Sequence, residues 1–490
     1  CGTETTVVVF PLNNTIGKGD KKQYFCPFCG SRHGLSLMGL RSATAISATV
    51  SQMFASPFND DKKTLAFSDN VQDAAHRAGF FNSRTWKFGL RSAIQRFALA
   101  EGHGLSLAAF SSRFIAYWRR QLTDEEFVSL FIAPNMTWVR AYETMRSRGK
   151  LEASQEVHRL LAWIENRLQY EIMLEYGLTS RIGRTLEKAG CSVIEFDADL
   201  IAKVAATVKD RAINELGALH QTPEIVFERM VAGVLYIMRA NGAFNDAVFS
   251  TFTNNDGNSY LLSNDREKWM PGMQPGRNVP RFVHEPSGTT KRLPGFDLIS
   301  HPQYTGWIEE CLEEVLVRDD VCDGLSKIIF AELIASRLLV PMSAPATYKV
   351  WALDKDKIAI STAVTQLECE VCGHQISVAS ANHHFWEAAP CVRSHCGGRL
   401  TRSTVATLGY YGRLYSGGDL VRVTAKEHTG LLKRDDREEL ERVFKRGGAG
   451  RKPWDANLLS CTPALEMGSD NGHLSTVVLC SLPPAQAQFL

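Results

Sequence analysis

The sequence predicts an α/β protein in which a parallel sheet is interrupted by a mainly helical insertion and a cysteine-rich module. Short apolar runs, each followed by a helical pattern, lie at 63–79, 420–446 and 457–468, and a last apolar run lies at 476–481. Successive strand–helix units favour parallel strands joined by right-handed crossovers. Between the first and second units, apolar residues recur every three or four positions, which is typical of amphipathic helices. The same long segment ends in closely spaced cysteines.

Composition limits the classes of protein to consider. The 490 residues are 44% hydrophobic and 22% charged, enough for roughly two to four globular domains. With a net charge of +2, any nucleic-acid site must be a local patch. No apolar run approaches the roughly 18 residues of a membrane span, so we expect no membrane partner. Several of the twelve cysteines form C-x-x-C pairs, which favours metal sites in a reducing, cytoplasmic location over disulfides.

The first strand–helix unit combines a buried strand with a helix start. The run 65–67 is apolar, and Ser68 and Asp69 after it are good N-cap residues. A helix N-terminus at the end of a strand presents free amide groups, which suit a backbone phosphate. We therefore expect Ser68 and Asp69 to lie at a nucleic-acid-binding edge.

The last unit, 457–472, has the same layout. A short apolar run that includes Ser460 ends at Thr462; a short helix follows and ends at Gly468, and Asp470 lies in the next loop. Small and hydroxylated groups would thus lie at the carboxyl end of a strand, where α/β sheets bind ligands. The alternative is an ordinary crossover connection that binds nothing.

The middle unit is predicted to contain a strand at 420–423 and a helix at 435–445. His428 lies between them and is expected to hold the turn after its strand. Asp436, followed by Glu439 three residues later, forms an approximate capping box for the helix.

The region 80–341 is predicted to be mainly helical, with an irregular loop at 260–294. Arg84 and Arg91 belong to a basic stretch of one helix that could follow a nucleic-acid backbone. The alternative for this stretch is an ordinary solvated helix surface. No group of residues here has the spacing of a catalytic site, and a nuclease domain lacks support because there is no suitable carboxylate cluster.

Two groups of cysteines predict metal sites. The pattern C-x2-C-x18-C-x4-C is formed by Cys369, Cys372, Cys391 and Cys396. Two such thiolate pairs close a tetrahedral zinc site, a zinc ribbon, whose role is structural because four thiolates leave no open position. Cys26 and Cys29 form a second pair, which predicts a partial zinc knuckle within residues 1–35. Free buried thiols are the alternative for that second pair.

Three stretches, taken in order, resemble the superfamily 2 helicases. The run Phe-Ser-Asp-x-x-Gln-Asp-Ala-Ala that begins at Phe67 resembles motif IV of large bacterial DEAD/DEAH-type helicases, including those of antiphage defence. The His-x-Gly-Leu segment from His428 and the Arg-x-x-x-Glu-x-x-Phe helix from Arg437 resemble the part of these enzymes that precedes motif V. Thr462 and the later Gly468-x-Asp470 resemble motif V itself. Motif V departs from the family at two positions, since Ser469 and Asn471 stand where aliphatic residues are usual.

The resemblance implies a particular domain organisation. Residues 36–80 and 419–490 would form a discontinuous second RecA-like domain. Residues 81–345 would be the helical insertion and 346–418 the zinc-ribbon module. The two strand segments 64–67 and 457–461 must then lie in one parallel sheet.

The function that the resemblance implies is ATP-dependent helicase or translocase activity on a nucleic acid, with DNA as the expected partner. Ser68 and Thr462 would bind the backbone, and Gly468 and Asp470 would couple the sheet to ATP and Mg2+. The sequence has no Walker A P-loop and no DEAD box, and motif VI would be expected after Leu490. The chain is therefore expected to be one part of a longer motor, inactive as an ATPase alone, and to serve with companion defence-system proteins. The rival hypothesis is a non-enzymatic, zinc-containing DNA-binding or scaffold subunit.

Overall fold

The structure is a computed structural model that describes most of the chain. The described residues are 15–16, 23–24, 42–68, 71–180, 183–273, 279–286, 293, 295–312, 319–393, 396–403, 408–447, 450–462, 474 and 476–480. Five of the predicted site residues lie outside them: Cys26, Cys29, Asp69, Gly468 and Asp470.

The elements are numbered in chain order. The strands are β1 (Thr15–Ile16), β2 (Gln23–Tyr24), β3 (Thr64–Phe67), β4 (Val193–Phe196), β5 (Val283–Pro286), β6 (Asp297–Leu298), β7 (Leu339–Pro341), β8 (Tyr348–Leu353), β9 (Ile358–Ser361), β10 (Val364–Cys369), β11 (Gln375–Ala379), β12 (Leu400–Arg402), β13 (Ala425–His428), β14 (Leu458–Cys461) and β15 (Thr476–Leu479). The α-helices are α1 (Ser42–Ala55), α2 (Val71–Phe97), α3 (Leu107–Gln121), α4 (Asp124–Phe131), α5 (Arg140–Arg148), α6 (Gln155–Tyr176), α7 (Ala198–Leu216), α8 (Glu224–Ala240), α9 (Ser250–Asn254), α10 (Tyr260–Ser263), α11 (Pro302–Cys311), α12 (Asp319–Ala335), α13 (His383–Trp386), α14 (Tyr410–Gly417) and α15 (Arg434–Lys445).

The predicted parallel sheet is confirmed. Four strands lie in the order β13-β14-β3-β15, and every neighbouring pair is parallel. β3 and β14, which are far apart in sequence, are direct neighbours, with Leu65 opposite Leu459. The ladder continues past the strand ends, since the Ser68 amide donates to the Cys461 carbonyl at 2.9 Å. The sheet therefore brings the first and last strand–helix units together at one edge.

Helices cover both faces of this sheet. Alternate residues of a strand point to opposite faces, and the side chains divide accordingly. Ala66 and Leu458 pack with α1 and α2, whereas Leu65 and Leu459 pack against Phe444 of α15. The result is a three-layer α/β/α unit whose central strands, β3 and β14, are covered on both faces.

Three local predictions were wrong. Residues 420–423 form no strand, because the Asn457 side chain uses the backbone hydrogen-bonding groups of this segment. The Asn457 amide donates to the Arg422 carbonyl and its oxygen accepts from the Thr424 amide, both at 2.7 Å. The strand begins at Ala425 instead. α15 begins after Lys433 without a side-chain cap, so the predicted capping box does not form. The segment predicted as an irregular loop, 260–294, contains α10 and β5.

The insertion and the cysteine-rich module share one hydrophobic core. Leu367, Ile376 and Trp386 of the module belong to the same buried cluster as the helices of the insertion. β8 pairs with β5 and β7, and β9 pairs with β4, so strands that precede the cysteines also belong to the insertion. The module is thus packed into the insertion.

A single helix connects the sheet to the insertion. α2 packs on the sheet through Ala78 and Phe81, and its second half carries Trp86, Leu90 and Ile94 in the core of the insertion. The helix passes the predicted domain boundary at residue 80 without a break. Motion of the insertion relative to the sheet would therefore have to bend α2.

None of the described helices is long and apolar enough to cross a membrane.

Candidate metal centre and the carboxyl edge of the parallel sheet

Four cysteines meet between β10, the turn that follows it, and the segment before β12. The sulfur atoms of Cys369, Cys372, Cys391 and Cys396 all lie within 4.8 Å of one another. Cys369 Sγ is 3.6 Å from Cys396 Sγ, and Cys372 Sγ is 3.7 Å from Cys391 Sγ. These separations are far longer than the ~2.05 Å of a disulfide bond. The structure thus brings together the four cysteines that the spacing selected.

The separations fit a metal bound by four thiolates. With zinc–sulfur bonds of about 2.3 Å, a regular tetrahedron separates its sulfur atoms by about 3.8 Å. The observed 3.6 and 3.7 Å are close to that value. The cluster could therefore hold a metal ion such as zinc, and the four cysteines would fill its coordination shell.

The backbone around the cluster is arranged for ligation. Gly373 and Gly397 each follow the second cysteine of a pair and adopt positive φ values of 63° and 62°, a conformation that favours glycine. Burial alone would raise the pKa of the Cys369 thiol, but the amide groups of Cys372 and Val371 and the neighbouring thiols lower it below its usual value. A thiol with a lowered pKa is ready to bind a cation as the thiolate.

The thiols of Cys391 and Cys396 depend on the metal for their charge. Burial raises the pKa of Cys391 and of Cys396 above the ordinary value. Since zinc binds thiolates and releases their protons, metal binding must supply the free energy that ionises these groups. The folded module and the bound ion should stabilise each other.

Gly398 is a site residue that sequence spacing did not single out. A Cβ atom at this position would lie 2.6 Å from Cys369 Sγ and 2.8 Å from Val371 Cβ. We expect Gly398→Ala to displace Cys369 and to weaken zinc binding about tenfold, the size of effect seen for residues that support metal ligands. Competition with a chromophoric chelator measures the affinity. Gly417→Ala is the matched control because a Cβ there meets no atom within 4 Å, and equal weakening in both variants would contradict the prediction.

The second candidate site is the carboxyl edge of the parallel sheet. Ser68 follows β3, Thr429 follows β13 and Thr462 follows β14. Extending the register of β3 and β14 by one residue places Thr462 beside Ser68. The edge therefore carries hydroxyl groups from three neighbouring strands.

Several polar atoms at this edge are buried and have no partner within the described part of the chain. They are Ser68 Oγ, Thr429 Oγ1, Ser460 Oγ and His428 Nδ1. Buried hydroxyl groups are nearly always hydrogen-bonded, so an unpaired group calls for a partner beyond the described residues. Thr462 is 7% exposed and lies at the same edge. Sequence analysis selected Ser68, Ser460 and Thr462 but missed Thr429, which the same strand-end rule could have found.

His428 is held by the helix that covers its face of the sheet. Its Nε2 lies 2.7 Å from Glu441 Oε1 of α15, and the residue is 3% exposed. His428 thus helps to hold α15 against β13, whereas the sequence analysis expected it to hold the turn after its strand. The partner, Glu441, could not be chosen from local pattern because α15 carries several acidic residues.

The two arginines predicted to bind nucleic acid lie in different surroundings. Arg91 Nε donates to both carboxylate oxygens of Glu175 at 2.9 and 3.0 Å, so its charge is compensated inside the insertion. Arg84 is exposed and lies over the Phe80 ring at 5.1 Å. Nucleic-acid binding by either residue stays a prediction, and the environment of Arg91 is that of a structural ion pair.

Comparison of the chain with protein-family models, with curated proteins and with solved structures gives no match. The residues of these two sites are therefore the basis on which a function can be proposed.

Proposed function

We propose that the chain contributes the second RecA-like domain of an ATP-dependent helicase or translocase of superfamily 2, and that the carboxyl edge of its parallel sheet binds a nucleic-acid backbone. The observation that most supports this proposal is the direct pairing of β3 with β14. The motif resemblance requires the two strands to lie in one parallel sheet, although they are separated by most of the sequence.

The chemistry of the edge suits phosphate groups. Hydroxyl and amide groups at strand ends commonly contact phosphate oxygens, which fixes the register of a protein on the backbone. Ser68 is 2% exposed and Thr429 is 1% exposed, and neither hydroxyl group has a partner among the described residues. A phosphate that reached them would offer charged acceptors, which form stronger hydrogen bonds than neutral ones.

In this proposal the cysteine-rich module has a structural role. Its strands belong to the core of the insertion, and four thiolates would leave no coordination position for water or substrate. The metal would keep Cys369 and Cys391, which lie in separate parts of the module, at a fixed distance.

ATP and Mg2+ belong to the motor as a whole. The sequence contains no Gly-x-x-x-x-Gly-Lys-Ser/Thr loop to bind the phosphates. We therefore assign to this chain the backbone contacts and not the hydrolytic step. Companion proteins of a defence system remain a prediction from the resemblance.

Nucleic-acid affinity tests the proposal directly. We expect Ser68→Ala and Thr462→Ala each to weaken binding of fluorescein-labelled single-stranded DNA about tenfold, because each removes a hydrogen bond to a charged group, worth roughly 1.5 kcal/mol. Fluorescence anisotropy measures the affinity, and a labelled RNA of the same sequence distinguishes the two nucleic acids. Ser111→Ala is the matched control, since its buried hydroxyl group bonds to the Leu107 carbonyl within α3.

The outcomes separate the hypotheses. Weaker binding by the two edge variants alone supports the proposal. If the wild-type chain binds neither nucleic acid, or if Ser111→Ala weakens binding as much as the edge variants do, the proposed edge is wrong. DNA binding by a protein whose whole length lacks ATPase activity would favour the non-enzymatic, zinc-containing subunit.

A further inference from the structure

A groove lies at the opposite edge of the parallel sheet, between the segments that lead into its strands and the helix α4. It has a volume of about 430 Å³. The residues before β13, before β14 and before β3 form one wall, and α4 of the insertion forms the other. The groove is therefore separated from the carboxyl edge by the length of the strands.

Two arginines, Arg422 and Arg451, supply most of the uncompensated positive charge that lines this groove. The closest hydrogen-bond partner of Arg422 is the Leu130 carbonyl at 3.4 Å, and Arg451 donates to the Asp61 carbonyl at 2.9 Å and to the Lys62 carbonyl at 3.4 Å. Among the described residues neither guanidinium group forms an ion pair. A guanidinium group has five N–H donors, so most of the donors on both arginines are free for a ligand.

The acidic groups of the groove do not supply the missing counter-charge. Asp455 accepts from Arg446 and from the Lys452 amide. Glu126 Oε2 accepts from the backbone and side chain of Thr123, as the cap of α4. The remaining acid that lines the groove, Asp60, is exposed to solvent.

Of the two lysines that line the groove, only Lys452 adds uncompensated positive charge. Lys62 is held by Asp419 and by backbone carbonyls. Lys452 is exposed and leaves its ammonium group available. Arg422, Arg451 and Lys452 thus line a groove whose carboxylates, apart from exposed Asp60, are already engaged.

Arginines that form no ion pair at a partly buried site are unfavourable for the free protein. Burial lowers the pKa of Arg422 to about 10. Burial also lowers the pKa of Arg451, although the nearby charges of Asp61 and Asp455 act in the opposite direction. Desolvated charges are strongly stabilised by an opposite charge that arrives with hydrogen bonds. The backbone here is also preorganised, since Asn457 holds the Arg422 carbonyl.

We propose that this groove binds a phosphorylated small molecule of about the size of a mononucleotide, with its phosphate group between Arg422 and Arg451. Two guanidinium charges match a phosphate dianion better than a carboxylate, and the planar fork of arginine fits phosphate oxygens in pairs. The volume lies within the range of small-molecule pockets, roughly 300–1,000 Å³. Apolar side chains form a surface for an organic group next to the phosphate: Leu122, Leu130, Leu420 and Val421.

Calorimetric titration with AMP, inorganic phosphate and acetate tests the site. We expect AMP to bind more tightly than phosphate, acetate not to bind, and Arg422→Met and Arg451→Met each to weaken AMP binding at least about tenfold, as expected for hydrogen bonds between charged groups. Arg211→Met is the matched control, because Arg211 is paired with Glu215 and Glu332 away from the groove. If phosphate binds as tightly as AMP, the organic subsite is wrong; if acetate binds equally, the phosphate site is wrong.

A second measurement needs no variant, in case Arg422→Met does not fold. Phenylglyoxal modification followed by mass spectrometry should show AMP protecting Arg422 and Arg451 but not Arg211. Absence of protection overturns the proposal.

The groove is independent of the proposed function, so single-stranded DNA should bind Arg422→Met and Arg451→Met as it binds the wild type. If these variants lose DNA binding and AMP does not bind the wild type, the groove belongs to a nucleic-acid path and the small-molecule proposal is wrong.

Discussion

Replacing Cys372 or Cys391 by serine is expected to abolish tight zinc binding and to unfold the module around β10, β11 and β12. Structural zinc contributes on the order of 10 kcal/mol of binding free energy in small domains, and that free energy is available only to the folded state. The module buries Cys369 and Cys391 to 1% and 2% exposure, so the loss of the ion leaves poorly hydrated thiols in the core. We expect the free energy of unfolding to fall by several kcal/mol.

The measurement has two parts. Elemental analysis of the purified protein gives the zinc content, and hydrogen exchange of the segments around β10 and β12 reports local unfolding. Cys311→Ser is the matched control, because Cys311 is a partly exposed thiol of α11 outside the four-cysteine cluster. Wild-type protein without zinc after gentle purification, or full zinc content in Cys372→Ser, would overturn the metal centre.

The second large effect is expected from Glu171→Gln. Glu171 is 3% exposed and pairs with Lys87 at 2.9 Å and with Arg167 at 2.8 Å. Removing the negative charge leaves two cations without a counter-charge in the insertion, and breaking a buried pair in this way costs about 3–5 kcal/mol. Since Lys87 belongs to α2, the second half of that helix should lose much of its attachment to α6.

Urea unfolding followed by tryptophan fluorescence measures this change. Glu165→Gln, on the same helix, is the control: its pair with Arg119 is partly exposed at 34% and 32%, so the expected loss is about 1 kcal/mol or less. Equal destabilisation by the two variants would show that burial of the Glu171 pair is not what stabilises α2.

The same carboxylate predicts a dependence on pH. Burial would raise the pKa of Glu171, but Lys87 and Arg167 lower it to about 2. Because the pKa of Glu171 is lower in the folded protein, its ionised carboxylate stabilises the fold at pH values above the unfolded pKa of about 4.5. This stabilisation is lost as the pH falls towards 2. Between pH 5 and pH 2, the free energy of unfolding of the wild type should therefore fall by about 3 kcal/mol more than that of Glu171→Gln. Parallel pH profiles for the two proteins would contradict this assignment.

The parts that could be predicted from sequence are those set by local pattern or fixed spacing. The strands at 65–67 and 458–461 were recognised from their own residues, and their place in one parallel sheet was expected from the order of the motifs. The four cysteines were found because metal geometry restricts ligand spacing. In each case the signal is a short local pattern or a fixed spacing in the sequence.

The parts that were missed depend on contacts between distant segments. The mostly apolar run at 420–423 suggests a strand, but the Asn457 side chain takes the hydrogen bonds that a strand would use. The sequence suggests that Arg91 belongs to a basic surface, but in the structure it pairs with Glu175 of α6. The requirement for Gly398 arises from Cys369, which lies in another strand. Pattern within one segment carries no information about these partners.

The central position of β3 in the parallel sheet has a consequence for synthesis on the ribosome. β3 is synthesised before both of its neighbours, β14 and β15, which follow roughly 390 residues later, and such distant contacts slow folding. The nascent chain must therefore keep Leu65 and Phe67 out of wrong pairings while the insertion folds first as a separate unit. The folded insertion then makes it easier for β3 to find its partner strands. Arg96 near the end of α2 donates to the Gly418 carbonyl and so brings the two ends of the insertion together. A chaperone that binds short apolar strands would be expected to act on β3 during this interval.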